Sequence, residues 1–141
     1  MQEGISAPSR INDLALLIGR LLVAALFFPS AFDKIRIFGA FTASLSRTFP
    51  HPELWAVAAI ALEIGAGVAL VLGVLPRWTA LALVGFTIIA TWIAHRFWMF
   101  DGPVRRQQEI HFYKNLAITG GLCFYFVAGA GRWKWRRASP T

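Results

Sequence analysis

The stretch "AIALEIGAGVALVLG", residues 59–73, decides the fold. It is apolar or small throughout except for one carboxylate, Glu63. With its flanks it forms a block, Leu54–Leu75, near the roughly 20 residues that cross a bilayer. Three more blocks of that kind follow from the same reading: Leu14–Phe32, Thr79–Phe100 and Phe112–Ala130. None shows the polar outer face that a helix of a soluble bundle needs. The expectation is an all-α fold: a four-transmembrane-helix bundle forming a single integral membrane domain over 1–141, with spans 14–32, 54–75, 79–100 and 112–130.

The connections agree with that plan. "IRIFGAFTASLSRTF", 35–49, places Ile35, Phe38, Phe41, Leu45 and Phe49 near helical spacing with polar residues between. It reads as a short amphipathic interfacial helix between the first and second spans. "GVLPRW", 73–78, is a tight turn. "DGPVRRQQEI", 101–110, reads as the last and most polar loop. Trp55, Trp78, Trp98, Trp133 and Trp135 sit near span ends, where amphipathic rings prefer to lie. Pro29 falls inside the first span and removes one backbone hydrogen bond there.

Of 141 residues, 57% are hydrophobic and 15% charged, well under the ~25% of an ordinary soluble domain. The net charge of +7 comes from residues flanking the apolar blocks, which reads as headgroup contact and not as a nucleic-acid face. The basic tail after the last span, Arg132 to Arg137, favours cytoplasmic termini. The one cysteine, Cys123, excludes an intrachain disulfide, and no CxxC or CxxCH motif is present. No spaced His/Cys/Asp/Glu set points to a metal, and no haem, flavin or iron–sulfur motif is encoded.

The polar residues inside the blocks are the candidates for function. A lone carboxylate at mid-span, Glu63, must take up a proton or find a cation. Arg20 is read at similar depth in the first span, so an Arg20–Glu63 ion pair is expected. Small neighbours of Glu63, Ala59, Ala66 and Gly67, let another helix approach. Asp13, Arg20, Phe27 and Lys34 repeat every seven residues and share one helix face. Thr91, His95 and Trp98 share a face at the end of the third span, and His111, Lys114 and Asn115 share one at the start of the fourth. Antiparallel spans would gather Asp33, Lys34, His95, His111, Lys114 and Asn115 around one mouth. That makes a polar vestibule whose floor is the Arg20–Glu63 pair. Each residue also has a plain reading: Lys34 and Lys114 as headgroup anchors, the pair as a packing device.

These stretches resemble the membrane helices of the DoxX family. The resemblance rests on "IGRLLVAALFFPSAFDKI", "LEIGAGVALVLGVLPRW", "AHRFW" and "FYKNLAITGGLCFYFVAGAGR", in that order, over roughly Ala15 to Arg132. It implies a four-helix protein of the bacterial inner membrane. Some family members are small subunits of membrane oxidoreductases, including a thiosulfate:quinone oxidoreductase, and most have no assigned activity. Arg20, Lys34, Glu63, His95, Lys114 and Asn115 fall on the family's polar positions. The terminal "GAGRWKWRR" departs from the family's usual ending. The expected function is a membrane subunit supporting a quinone-linked oxidoreductase, in contact with lipid and with a redox protein partner that carries the electrons. The competing expectations are an accessory subunit with no catalysis of its own, and a small transporter, which the lack of an evident inverted repeat weakens.

Overall fold

The computed structural model describes residues 10–135. These residues form five α-helices and no strand. Helix α1 (Arg10–Arg36) runs straight through Pro29, which sits on an exposed face. The short α2 (Phe38–Leu45) follows within two residues, over the stretch expected to form a helix. His51, in the left-handed region, turns the chain into α3 (Pro52–Leu72), which opens on a proline where a missing N–H does no harm. Helix α4 (Pro76–Ala94) starts the same way after the turn at 73–75.

The third and fourth blocks depart from expectation. Helix α4 ends at Ala94, not Phe100. His95 caps it, and a single 3₁₀ turn at Phe97–Met99 follows, so Thr91, His95 and Trp98 do not share one helix face. Phe97 and Trp98 instead leave the helix and meet Phe112 edge to face (centroids 5.4 and 6.0 Å). The segment 101–110, read as a loop, is the start of α5 (Gly102–Ala128). Pro103 opens that helix, and the Arg, Gln and Glu residues that made the segment look like a loop are good helix formers.

Among the described residues, three helical stretches are long and apolar enough to cross a membrane: Arg10–Arg36, Pro52–Leu72 and Pro76–Met99. Helix α5 is as long as α1, but Arg105, Arg106, Glu109, His111 and Lys114 occupy its first half. No more than 28% of any of these three spans is buried within the chain, so their apolar side chains mostly face outward. Leu22, Trp92, Phe124 and Val127 are prominent among the exposed residues, a surface that only a bilayer or a partner can cover. Cys123 is exposed on the same helix as Phe124.

The helices run alternately up and down. α1 packs chiefly on α3 and α4 on α5, with α3 against α4 joining the two pairs and α2 lying on α3. α1 and α5 meet less closely than these pairs. One core runs through the middle: Ala24 and Phe27 of α1, Leu70 of α3, Ala80 and Leu83 of α4, and Leu122 and Tyr125 of α5. Small residues set its spacing, as the sequence implied. A Cβ on Gly67 would lie 3.2 Å from the Phe28 ring. The heptad face of α1 also holds: Asp13, Arg20 and Phe27 are buried and Lys34 partly so.

Candidate functional site

The expected Arg20–Glu63 pair does not form. In an antiparallel pair of helices, depth is measured from opposite ends. Ser30 of α1 hydrogen-bonds Glu63, whereas Arg20 reaches Leu70 and Val71. Ten residues of α1 separate Ser30 from Arg20, which is about 15 Å of rise. The two charges therefore serve opposite ends of the bundle.

Arg20 is 3% exposed and has no carboxylate partner among the described residues. Its Nε donates to Leu70 O at 2.9 Å, one Nη1 hydrogen each goes to Ala130 O and Trp133 O at 2.7 Å, and Nη2 donates to Val71 O. The carbonyls at a helix C-terminus lack intrahelical donors and carry partial negative charge. Arg20 supplies the missing donors for α3 and ties the segment after α5 to them. Trp135 N–H donates to Leu72 O at 2.8 Å, and Arg132 N–H to Asp13 Oδ1 at 2.9 Å, completing the clamp. Gly73 is required at its centre: its φ is +69°, and a Cβ there would lie 2.8 Å from both Ala130 and Lys134.

Glu63 is 2% exposed, and Lys34 is its cation. Lys34 Nζ lies 2.9 Å from Glu63 Oε1 and 2.6 Å from Ser30 Oγ, while Ser30 Oγ donates to the same Oε1 at 2.8 Å. Lys34 also lies over the rings of Phe41 and Phe86, at 5.7 and 6.0 Å. Its side chain keeps 21% exposure, so the carboxylate is buried and the lysine beside it only partly so. Glu63 Oε2 is buried with no partner among the described residues, and so is the hydroxyl of Thr87, one residue from Phe86. A buried carboxylate oxygen left without a donor is costly, and proteins seldom keep one without a use.

The mouth residues do meet, through α4 and α5. The His95 and His111 rings stack at 5.0 Å. His95 Nδ1 is 2.8 Å from Gln108 Oε1, and Lys114 Nζ is 3.1 Å from His111 Nδ1. Asn115 Nδ2 donates to Thr91 Oγ1 at 2.9 Å, and Thr91 in turn donates to Thr87 O at 2.6 Å. Burial first, then Lys114 and then His95, hold the His111 imidazole below its ordinary value of 6.5. Asp33 does not join the mouth; it is exposed, 3.9 Å from Arg36. The cation beside Glu63 is thus Lys34, and Arg20 belongs to neither the mouth nor this pair.

The sequence reading missed Ser30, Thr87 and Gln108. Ser30 stands one helical turn before Lys34, a spacing that could have marked it. No group of three metal-ligating side chains occurs among the described residues.

The chain is 31% identical over 117 residues to "Inner membrane protein YphA" of Escherichia coli K12, covering 82% of this chain and 84% of that protein. It is 29% identical over 122 residues to "Inner membrane protein YqjF" of the same organism, covering 86% and 89%. No solved structure matches it. The DoxX family profile matches residues 15–96, a stretch that takes in Arg20, Ser30, Lys34, Glu63 and His95 and stops before α5. With more than half of its length matched and three helices suited to a bilayer, the chain is a membrane protein that belongs to the DoxX family.

Proposed function

We propose that the chain is a multi-pass subunit of a bacterial inner membrane that supports quinone-linked oxidoreduction by a partner protein, with Lys34, Ser30 and Glu63 as its proton-exchanging group. In this reading the whole chain is one membrane domain. The apolar part of α5 is the fourth span, α2 lies in the headgroup plane and both termini are cytoplasmic. The E. coli relatives' names support the inner membrane.

The observation that carries the reading is the half-used carboxylate. Glu63 Oε1 is held by a lysine and a serine, and Oε2 is buried with no partner among the described residues. Such a group can take a proton on one oxygen while the other stays anchored, and the partly exposed Lys34 gives it a route to the mouth. The mouth also has donors to spare. Among the described residues Lys114 uses one of three N–H groups and Asn115 one of two. A quinone carbonyl fits that chemistry, and His95, Lys114 and Asn115 are the residues that would orient it. The electrons themselves travel on the partner or the quinone.

The test is the Glu63→Gln variant, purified in mild detergent with whatever proteins and quinones accompany the wild type. The variant should keep its partner and lose about a hundredfold in quinone-dependent turnover, the usual scale for a lost acid–base group. Unchanged turnover in an intact complex would leave the second reading, an accessory subunit without catalysis. The Arg20 clamp supports that alternative, because its buried polarity is spent on holding the chain's own helices together.

A further inference from the structure

The clamp end of the bundle carries two recesses that the proposed function does not use. One, of about 500 Å³, is lined by Arg10, Asp13, Arg132 and Trp133. The other is an apolar groove of about 210 Å³ in the α1–α5 seam, walled by residues such as Leu16, Gly19, Val23 and Gly121, with Arg20 and Tyr125 also lining it. They adjoin along both walls. On α1 the recess reaches Asp13 and the groove begins at Ala15. On the other side the groove reaches Ala128 and the recess begins at Arg132. Gly131 stands between them, close to both Asp13 and Leu16.

Their chemistry differs in a graded way. The recess has two arginines and one carboxylate, a net of one positive charge. Asp13 is already engaged by the backbone N–H of Arg132, with the Arg132 Nε 3.9 Å away, so it is not a free negative wall. At the groove two donors are left over. Among the described residues Arg20 uses four of its five N–H groups, all on carbonyls. Tyr125 is 7% exposed, and its hydroxyl has no partner among the described residues. Beyond them the walls are apolar, and an apolar slot stays dry and takes hydrocarbon.

We infer that these two recesses form one binding site for an anionic glycerophospholipid. Arg10 and Arg132 face its phosphate, Tyr125 and the fifth N–H of Arg20 meet an ester carbonyl, and an acyl chain fills the seam between α1 and α5. The order of the groups along the site, charge then carbonyl acceptor then hydrocarbon, is the order along such a lipid. Tyr125 lies one turn from the end of α5, and the exposed Trp78 and Trp133 belong to the same end of the bundle, at the depth of the headgroup boundary. A second helix is the poorer occupant. Its backbone carbonyls are already bonded, so it offers no acceptor to Tyr125. The inference places α5 against lipid, and Cys123 tests that separately, since a spin label on this single exposed cysteine reports its depth in the bilayer.

Native mass spectrometry of the full chain, released from nanodiscs of mixed phosphatidylglycerol and phosphatidylethanolamine, reads the site directly. The wild type should retain one phospholipid, enriched in the anionic species. Gly19 and Gly121 line the groove with open space where a Cβ would stand, so Gly121→Leu and Gly19→Leu should fill it and lower retention about tenfold. Gly120 has the same open space but does not line the groove, and Gly120→Leu should retain the lipid. Tyr125→Phe should lower retention about threefold, the worth of one hydrogen bond in a membrane. The Arg10→Gln, Arg132→Gln double variant should keep a lipid but lose the anionic preference. Equal retention in the Gly120, Gly121 and Gly19 variants would overturn the inference. So would a quinone retained in place of phospholipid, or a dimer or partner that leaves with the groove variants while lipid content stays the same.

Discussion

Arg20 and Glu63 are buried to the same degree, 3% and 2% exposed, at opposite ends of one helix pair, yet their surroundings differ in kind. Arg20 spends four of its five donors on backbone carbonyls from α3 and from the segment after α5. Glu63 has one oxygen held by two side chains and one with no partner among the described residues. The first is a fixed charge satisfied by fixed dipoles, which closes a helix end and pins a chain terminus. The second is a charge with capacity left over beside a cation that reaches the surface. Burial alone does not separate a structural charge from a working one; the account of its hydrogen bonds does.

The comparison breaks first at Arg20. Arg20→Met removes four hydrogen bonds to carbonyls at once, of which, among the described residues, Leu70 O alone keeps a second donor, Gly73 N–H, and the expected loss is about 3–5 kcal/mol of stability. Arg20→Lys restores the charge but not the fork, and should recover less than half of the loss. Thermal unfolding in a single detergent measures both. A loss below about 1 kcal/mol for Arg20→Met would mean that water reaches those carbonyls and that the clamp is not closed.

Double-mutant cycles sharpen the comparison next. Lys34→Met and Glu63→Gln touch one ion pair and should be coupled by about 1–2 kcal/mol, since each alone strands the other charge. Arg20→Met and Glu63→Gln act about 15 Å apart along α1 and should add to within about 0.5 kcal/mol. Strong coupling in the second cycle would restore the pairing that the sequence invited and the structure replaced.

That replacement shows where sequence reading stops. The periodicity of α1 was legible, because Asp13, Arg20, Phe27 and Lys34 recur on one face whatever they touch. The small residues beside Glu63 were legible for the same reason, and Gly67 does receive Phe28. Partner choice was not. Arg20 and Glu63 each count as mid-span from their own helix start, and only the register of the antiparallel pair shows that their levels differ. The partners of Arg20 are carbonyl oxygens, which every residue has, so no side chain announces them. The glycines of the final turn, Gly129 and Gly131, were the available signal, since both adopt positive φ where the chain doubles back on α3. The start of α5 reads as a loop because its residues are polar, although a helix can leave the membrane and continue.

The smallest effect belongs to the mouth, where the vestibule meets water. The His95–His111 stack and Lys114 crowd positive or potentially positive groups around one imidazole. In the folded chain, burial, then Lys114, then His95 hold His111 below 6.5, the value it recovers on unfolding. As pH falls through about 6.5, the unfolded chain therefore binds a proton before the folded chain does. Stability contributed by neutral His111 is complete above that pH and is lost as the pH falls through the lower folded value. His111→Gln retains an acceptor for Lys114 but cannot be protonated. The melting temperature of the wild type should drop more than that of the variant between about pH 7.5 and 5.5. The two curves should converge at the acid end, and the Lys34–Glu63 coupling should be the same in both. Parallel curves would show that the His111 ring opens to solvent freely. A change in the Lys34–Glu63 coupling would instead show that the mouth and the buried carboxylate titrate together, and the division between a rigid end and a responsive end would then run through the middle of α5.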